Sequence, residues 1–97
     1  MTGWYLHGVA RGDVAALRAA LSDEPGATGQ PDVTEIDRYL VIHAPAPDGE
    51  VTATRRRMLG HARVLERAMT TADVLPMRFG HIVRDPARLG PVLREAA

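Results

Sequence analysis

The sequence predicts a single α+β domain in which a small sheet of three or four strands is covered by helices. The chain has 97 residues, which is the size of one domain. Hydrophobic residues make up 45% of it and charged residues 25%, as in ordinary globular proteins. Short β-prone runs alternate with segments of helical periodicity, an order that favours helices packed on a sheet. We therefore treat residues 1–97 as one folding unit.

The first strand is predicted over Trp4 to Ala10, an aromatic and aliphatic run that ends in the turn-forming sequence Arg11-Gly12-Asp13. Strand alternation predicts two faces, one with Trp4, Leu6 and Gly8 and the other with Tyr5, His7 and Val9. Asp13 is suited to cap a short helix, which Pro25-Gly26 ends. The apolar residues of that helix are Val14, Leu17 and Leu21.

The middle of the chain predicts a loop, a strand and a long helix. Ala27 to Asp32 is rich in turn-forming residues and predicts a loop, whereas Ile36 to His43 predicts a strand. The helix is predicted over Val51 to Met69, where apolar residues recur at a spacing of three and four. This stripe consists of Val51, Met58, Ala62, Leu65 and Met69, widened by Val64 and Ala68. The arginines lie mainly off the stripe, which predicts an exposed basic side.

The last third of the chain predicts a strand and a weak helix. The strand covers Val74 to Phe79, and its internal Pro76 indicates an edge, a bulge or an early strand position. Asp85-Pro86 is typical of a helix start. The helix that follows contains Leu89, Val92 and Leu93, and is weakened or broken by Gly90-Pro91.

Composition excludes several classes of function. The chain has no cysteine, which removes disulfides and thiolate metal sites and fits a reducing compartment. Twelve basic residues balance twelve acidic ones, so the net field that draws in nucleic acid is missing. No apolar run approaches the roughly 20 residues that span a bilayer. We expect a cytoplasmic protein without a membrane or nucleic-acid partner, and neither common phosphate-loop motif indicates a nucleotide cofactor.

Histidine is the residue type in this chain best suited to act as an acid, a base or a metal ligand, because its ordinary pKa lies near neutral pH. No pair of histidines has helical metal-ligand spacing, so we expect no metal site. A pocket would have to be assembled by the fold. Its candidate residues are Tyr5, His7, His61, Arg78 and His81.

Within such a pocket, Arg78 would offer a planar cation to a carboxylate or enolate while a histidine moved a proton. No recognised catalytic motif supports this enzyme hypothesis. The favoured alternative is structural: Arg78 pairs with a carboxylate such as Glu35, Asp37 or Glu66, and His61 bonds a backbone carbonyl.

Three segments resemble successive signatures of the gas vesicle F/L family: Trp4 to Val9, Gly60 to Glu66 and Val74 to Gly80. The resemblance is to the amino-terminal domain of that family. The matching positions are Tyr5, Gly8, His61, Pro76, Arg78, Phe79 and Gly80. Membership would imply an accessory role in gas vesicle assembly, with the shell protein and other accessory proteins as partners and no established catalysis.

Three hypotheses of function follow. The first is an assembly or shell-protein-interaction module. The alternative is a small-molecule enzyme or binding protein that reuses the fold for proton-transfer, isomerisation or cyclisation chemistry in a biosynthetic pathway. Nucleic-acid binding through Arg55 to Arg57 ranks last, because that run lacks interleaved aromatic residues. Under the first two hypotheses a homodimer is compatible with the size of the chain, because a copy can replace a second domain.

Overall fold

A computed structural model describes residues 3–96, apart from the side chains of residues 92 and 94–96. The structure is an α+β domain, as the sequence predicts. In chain order its elements are β1 (Trp4–Arg11), α1 (Val14–Leu21), β2 (Asp32–Ile36), β3 (Tyr39–Pro45), α2 (Arg55–Met69), β4 (Asp73–Pro76), β5 (Ile82–Val83) and α3 (Leu89–Ala96), the last preceded by a short 3-10 helix at Pro86–Arg88.

The sheet is antiparallel and is built around β1. Its order is β2-β3-β1-β4, and β5 pairs with the first residues of β1 on the same side as β4. β1 therefore has partners on both edges along most of its length, which explains why almost all of its residues are buried. This central strand carries two of the candidate site residues, Tyr5 and His7.

Helices cover both faces of the sheet and create two apolar clusters. The face under α1 and α2 contains the larger cluster, which consists of Ala10, Leu17, Leu21, Val33, Leu40, Ile42, Val64 and Ala68. The face under α3 contains Leu6, Val9, Val41, Leu89 and Leu93. Among the described residues, no helix is both long and apolar enough to cross a membrane.

The segment before β3 corrects the sequence-based boundaries. Asp32, assigned to a loop, begins β2, and Ile36, assigned to the following strand, ends it. A two-residue turn at Asp37-Arg38 then joins β2 to β3, and both residues have positive φ, at 55° and 79°. These angles fit a type I′ hairpin turn. The prediction missed the hairpin because glycine and asparagine, the usual signals of that turn, are absent from it.

A β-bulge in β1 corrects the predicted alternation. Leu6 pairs with His43 and Gly8 pairs with Ile42, so His7 is an extra residue without an opposite partner. Tyr5 and His7 do share the face under α2, as predicted. Beyond the bulge the faces exchange, because Gly8 now points toward α2 and Val9 joins Leu6 under α3.

The buried face of α2 also differs from the predicted stripe. The helix begins at Arg55 rather than at Val51, with the Thr54 side chain as its cap. Its buried residues are Gly60, His61, Val64 and Ala68. Met58 and Met69 of the predicted stripe are instead 50% and 51% exposed. Val64 and Ala68, which widen the predicted stripe, are buried as expected. Periodicity placed the centre of the stripe too far round the helix because it counts Gly60 and His61 as non-core residues.

The final segment has shorter strands and a longer helix than predicted. β4 ends at Pro76 instead of continuing to Phe79, and the two-residue β5 follows. Asp85 caps the 3-10 turn through its side chain, as expected. α3 then runs through Gly90-Pro91 without a break. Leu89 and Leu93 are buried as predicted, whereas the side chain of Val92 lies outside the described part.

Gly60 lets α2 lie directly on the loop that follows α1. A Cβ atom added to Gly60 would overlap the carbonyl oxygen of Gly26, which is backbone and cannot swing aside. We expect Gly60→Ala to lower the free energy of unfolding by about 1 to 3 kcal/mol, although alanine is the better helix former. Urea unfolding measures this change. Arg56→Ala on the exposed side of α2 is the control, expected within about 0.5 kcal/mol of the parent, and an equally small loss for Gly60→Ala would contradict the close approach.

Candidate functional site

The polar centre of the domain lies between β1, α2 and the segment after β4. Tyr5 from β1 meets His61 from α2, and the Phe79 ring contacts both with centroids 5.9 Å away. Tyr5 is 0% exposed and His61 is 6% exposed. These side chains therefore join three elements at a place closed to solvent.

One chain of hydrogen bonds runs through this centre, and its direction can be assigned. His61 Nε2 lies 2.8 Å from the Met77 carbonyl oxygen, which can only accept, so Nε2 carries the hydrogen. In the neutral ring Nδ1 then accepts, and the Tyr5 hydroxyl donates to it over 2.7 Å. The same hydroxyl accepts from the Gly80 backbone N–H at 3.2 Å. Every side-chain polar atom of Tyr5 and His61 therefore has a hydrogen-bond partner. The predicted bond from His61 to a backbone carbonyl is present.

Burial keeps the hydrogen-bonded side chains of Tyr5 and His61 uncharged. It raises the pKa of the Tyr5 hydroxyl, an effect that the Gly80 N–H opposes. It lowers the pKa of His61, while the bond to the Met77 carbonyl acts in the other direction. The proton between the two side chains therefore stays on the Tyr5 hydroxyl at neutral pH.

His7 lies beside this pair and has one unsatisfied atom. Its ring stacks on His61 with centroids 5.4 Å apart, and its Nε2 accepts from the Ala27 backbone N–H at 3.2 Å. The hydrogen is then on Nδ1, a buried atom without a hydrogen-bond partner in the described part of the chain. Burial, followed by the charges that His61 and His43 would carry, lowers the pKa of His7 to about 3.

Comparison with protein families matches residues 3–97 to the family described as Gas vesicle synthesis protein GvpL/GvpF. The chain belongs to this family. The match extends through the segment from Asp13 to Glu50, where the sequence motifs do not reach, and it confirms the resemblance drawn from the two ends and the long helix. Comparisons with curated proteins and with solved structures gave no match.

The geometry gives the gas vesicle family resemblance a physical meaning. The three similar segments are far apart in sequence, yet Tyr5, His61 and Gly80 form consecutive links of one hydrogen-bond chain. Gly8 belongs to the same contact region, because a Cβ there would lie 3.2 Å from Leu65 and 3.3 Å from Val74. In this chain the three segments therefore join β1, α2 and the turn after β4.

The structure brings only part of the predicted pocket together. Tyr5, His7 and His61 are in contact, whereas Arg78 and His81 are exposed. In the described part of the chain Arg78 forms no ion pair, so the structural alternative proposed for it is wrong. The backbone carbonyl of His81 accepts a hydrogen bond from the Leu6 N–H, at the edge of the sheet.

Two polar groups of the structure were missed from sequence. Glu24 is 2% exposed and its carboxylate meets Arg63 and Arg67 of α2, each at 3.3 Å. On the opposite face of the sheet, the His43 ring stacks on Trp4 at 3.7 Å and bonds the Thr34 hydroxyl. A pattern that scores these residue types as surface residues gives no signal for either group. Among the described residues, no three His, Asp or Glu side chains are placed to share a metal ion.

His7 makes the stability of the domain dependent on pH. In the unfolded chain it binds a proton below its ordinary pKa of 6.5, whereas the folded protein does not until about pH 3. Its contribution is therefore complete above pH 6.5 and is lost as the pH falls toward 3. Between the unfolded and the folded pKa, each histidine whose pKa is lowered by folding makes the free energy of unfolding fall by about 1.4 kcal/mol per pH unit as the pH decreases.

We expect His7→Gln to reduce the slope of the free energy of unfolding against pH by about 1.4 kcal/mol per pH unit below pH 6.5. Glutamine can still accept from the Ala27 N–H but does not titrate in this range. Urea unfolding at intervals from pH 7 to pH 4 measures the slope. His43 and His61, whose pKa values burial also lowers, retain their share of it. A His7→Gln profile parallel to that of the parent would contradict the assignment.

Proposed function

We propose that this protein is a cytoplasmic accessory in gas vesicle assembly that works by contacting the shell protein and other accessory proteins. The observation that carries the proposal is membership of the gas vesicle family over residues 3–97. The closed polar centre supports it. Tyr5 and His7 are 0% exposed, so a substrate has no access to these two side chains of the pocket on which the enzyme hypothesis depends. A role in contacts with other proteins places function on the surface instead.

The surface best suited to such a partner is a groove between residues 25–29 and the first half of α2. Its volume is about 1040 Å³. It is lined by residues 25–29, by Leu59 and Gly60, and by four arginines, which are Arg55, Arg56, Arg57 and Arg63. Arg55 and Arg56 form no ion pair among the described residues. We infer that the groove takes an acidic segment of the partner, with an apolar side chain against Leu59.

Direct binding to the shell protein of the same host tests the proposal. The tagged chain is immobilised and the shell protein is titrated at two salt concentrations. We expect saturable binding that Arg55→Glu with Arg56→Glu weakens at least about tenfold, because two like charges would then face the partner. A matched double variant, Arg38→Glu with Arg88→Glu, makes the same change in net charge away from the groove and is expected to bind within about twofold of the parent.

The outcomes separate the two parts of the proposal. Absence of binding to shell protein and accessory proteins alike would overturn the assembly role. Equal binding by both double variants would leave the role standing and reject the groove as its surface.

A further inference from the structure

The wall of the groove that faces α2 is held from inside the domain. This wall is the loop of residues 25–29, which we call the groove loop. Within it Ala27 is 5% exposed, and its backbone N–H donates to His7 Nε2 over 3.2 Å in a buried bond. His7 is 0% exposed and does not line the groove itself. It therefore reaches the groove through the main chain of the loop.

The β-bulge in β1 gives His7 this position. Its neighbours Leu6 and Gly8 both pair with β3, whereas His7 is the extra residue and has no residue opposite it. Bulges change the direction in which a side chain points. Here the ring lies beside α2, stacked on His61 with centroids 5.4 Å apart, and it meets Ala27, which is 20 residues further along the chain.

The hydrogen bonding of His7 favours a positioning role over simple filling of the core. Its Nδ1 carries a hydrogen that has no partner in the described part of the chain. A buried donor without a partner lowers stability, and an apolar side chain of similar size would avoid that loss. The imidazole adds an acceptor for the Ala27 N–H, which an apolar side chain does not have. Burial lowers the pKa of His7 to about 3, so this acceptor is available at neutral pH.

The other contacts of the groove loop leave its inner side to His7. The Thr28 hydroxyl donates to the Pro45 carbonyl over 2.7 Å, but this bond is exposed. Gly26 lies directly against Gly60, a contact that limits how closely the loop approaches α2 without bonding the two. Among the hydrogen bonds of residues 25–29 that the structure describes, the bond at Ala27 is the buried one.

We propose that His7 is a positioning residue of the groove, whose bond to the Ala27 N–H holds the groove loop at the distance from α2 that suits the partner segment. This role rests on the function proposed above for the groove. A loop that is already fixed loses less conformational freedom when a partner binds, so the bond raises affinity without touching the partner.

Nitrogen NMR of the parent protein tests the bond without any substitution. We expect the neutral ring of His7 to carry its hydrogen on Nδ1, because Nε2 accepts from Ala27. The ring of His61 is the internal reference and is expected to carry its hydrogen on Nε2, which faces the Met77 carbonyl. A hydrogen on Nε2 of His7 would leave no acceptor for the Ala27 N–H and would overturn the proposal.

His7→Leu and His7→Gln separate the acceptor from the bulk of the side chain, because glutamine keeps an acceptor and leucine has none. Hydrogen exchange at the Ala27 amide is compared with exchange at the Leu17 amide, which bonds to the Asp13 carbonyl in α1. The ratio of the two rates corrects for a change in global stability. We expect it to rise at least about tenfold in His7→Leu and to stay near the parent value in His7→Gln. An unchanged ratio in His7→Leu would contradict the role of the bond.

Titration with the shell protein connects the groove loop to binding. We expect His7→Leu to weaken binding at least about fivefold and His7→Gln to bind within about twofold of the parent. The dependence of binding on salt is expected to stay the same, because all four arginines of the groove remain. Tyr5→Phe is the control, since it removes a different buried hydrogen bond beside His7, and it is expected to bind within about twofold of the parent.

The outcomes distinguish His7 from the groove. A parent that does not bind the shell protein would overturn the function proposed for the groove, and with it the effect of His7 on affinity. A parent that binds, with equal binding by His7→Leu, would overturn the positioning role alone. Equal losses in His7→Leu and Tyr5→Phe would trace the effect to general destabilisation and would also overturn that role.

Discussion

His61→Ala is expected to lower the free energy of unfolding by about 3 to 5 kcal/mol, the largest effect of any single substitution considered. The imidazole fills space between β1 and α2 and bonds the Tyr5 hydroxyl and the Met77 carbonyl. Its removal leaves a cavity, a buried donor and a buried acceptor at once. Urea unfolding monitored by circular dichroism measures the loss.

Two further variants show whether the hydrogen-bond chain causes this loss. His81→Ala makes the same substitution at an exposed position and is expected to change stability by less than about 0.5 kcal/mol. Tyr5→Phe removes only the hydroxyl and is expected to cost about 1 to 3 kcal/mol. The double variant Tyr5→Phe with His61→Ala should lose less than the sum of the two, because both break the same bond. Strict additivity would show that the two residues act independently, against the assigned geometry.

Arg63→Ala combined with Arg67→Ala is expected to cost about 3 kcal/mol, the second large effect. These arginines meet the Glu24 carboxylate, which is 2% exposed. The arginine side chains are themselves 63% and 46% exposed, so the cost comes mainly from leaving the carboxylate buried without a cation.

Glu24→Gln tests that cause, because it removes the charge and keeps the shape of the side chain. In the Glu24→Gln background, the loss of both arginines is expected to cost about 1 kcal/mol or less. Arg55→Ala with Arg56→Ala is the control on the same helix and should remain within about 0.5 kcal/mol of the parent. An arginine effect of equal size with glutamate and with glutamine at position 24 would show that packing, and not charge, holds α2 to the end of α1.

The sequence predicted the fold wherever local chemistry decides the structure. Asp13 caps α1 through its side chain, and Asp85 caps the turn before α3. The apolar run from Tyr39 to Ile42 forms a strand with a buried centre. In these segments propensity, capping and hydrophobicity agree, so the pattern is sufficient.

Contacts between distant segments decided the rest. The bulge at His7 depends on how β1 pairs with β3, and it exchanges the faces of the strand beyond that point. The orientation of α2 depends on Gly60 fitting against Gly26 and on His61 reaching Met77. The burial of Glu24 goes with its contacts to two arginines of α2, which are distant in sequence. A local pattern contains none of these contacts.

The candidate site shows the same division. Histidine and tyrosine were selected for their chemistry, and three of the five selected side chains do meet. Their burial and the full set of hydrogen bonds from Gly80 to Met77 depend on the tertiary structure. Arg78, selected on the same chemical grounds, lies on the surface. We therefore assign the polar centre to the stability of the domain, and we propose the groove beside α2 as the surface that contacts partners.

Complementation in cells tests most directly whether the polar centre serves stability while the groove serves function. In a host that makes gas vesicles and lacks its own gene of this family, vesicle formation is scored by flotation with the parent, Tyr5→Phe, or Arg55→Glu with Arg56→Glu, each checked for soluble folded protein. We predict that Tyr5→Phe restores flotation and that the arginine variant does not. Flotation with the arginine variant and its loss with a folded Tyr5→Phe protein would contradict the account and return function to the buried tyrosine and histidines.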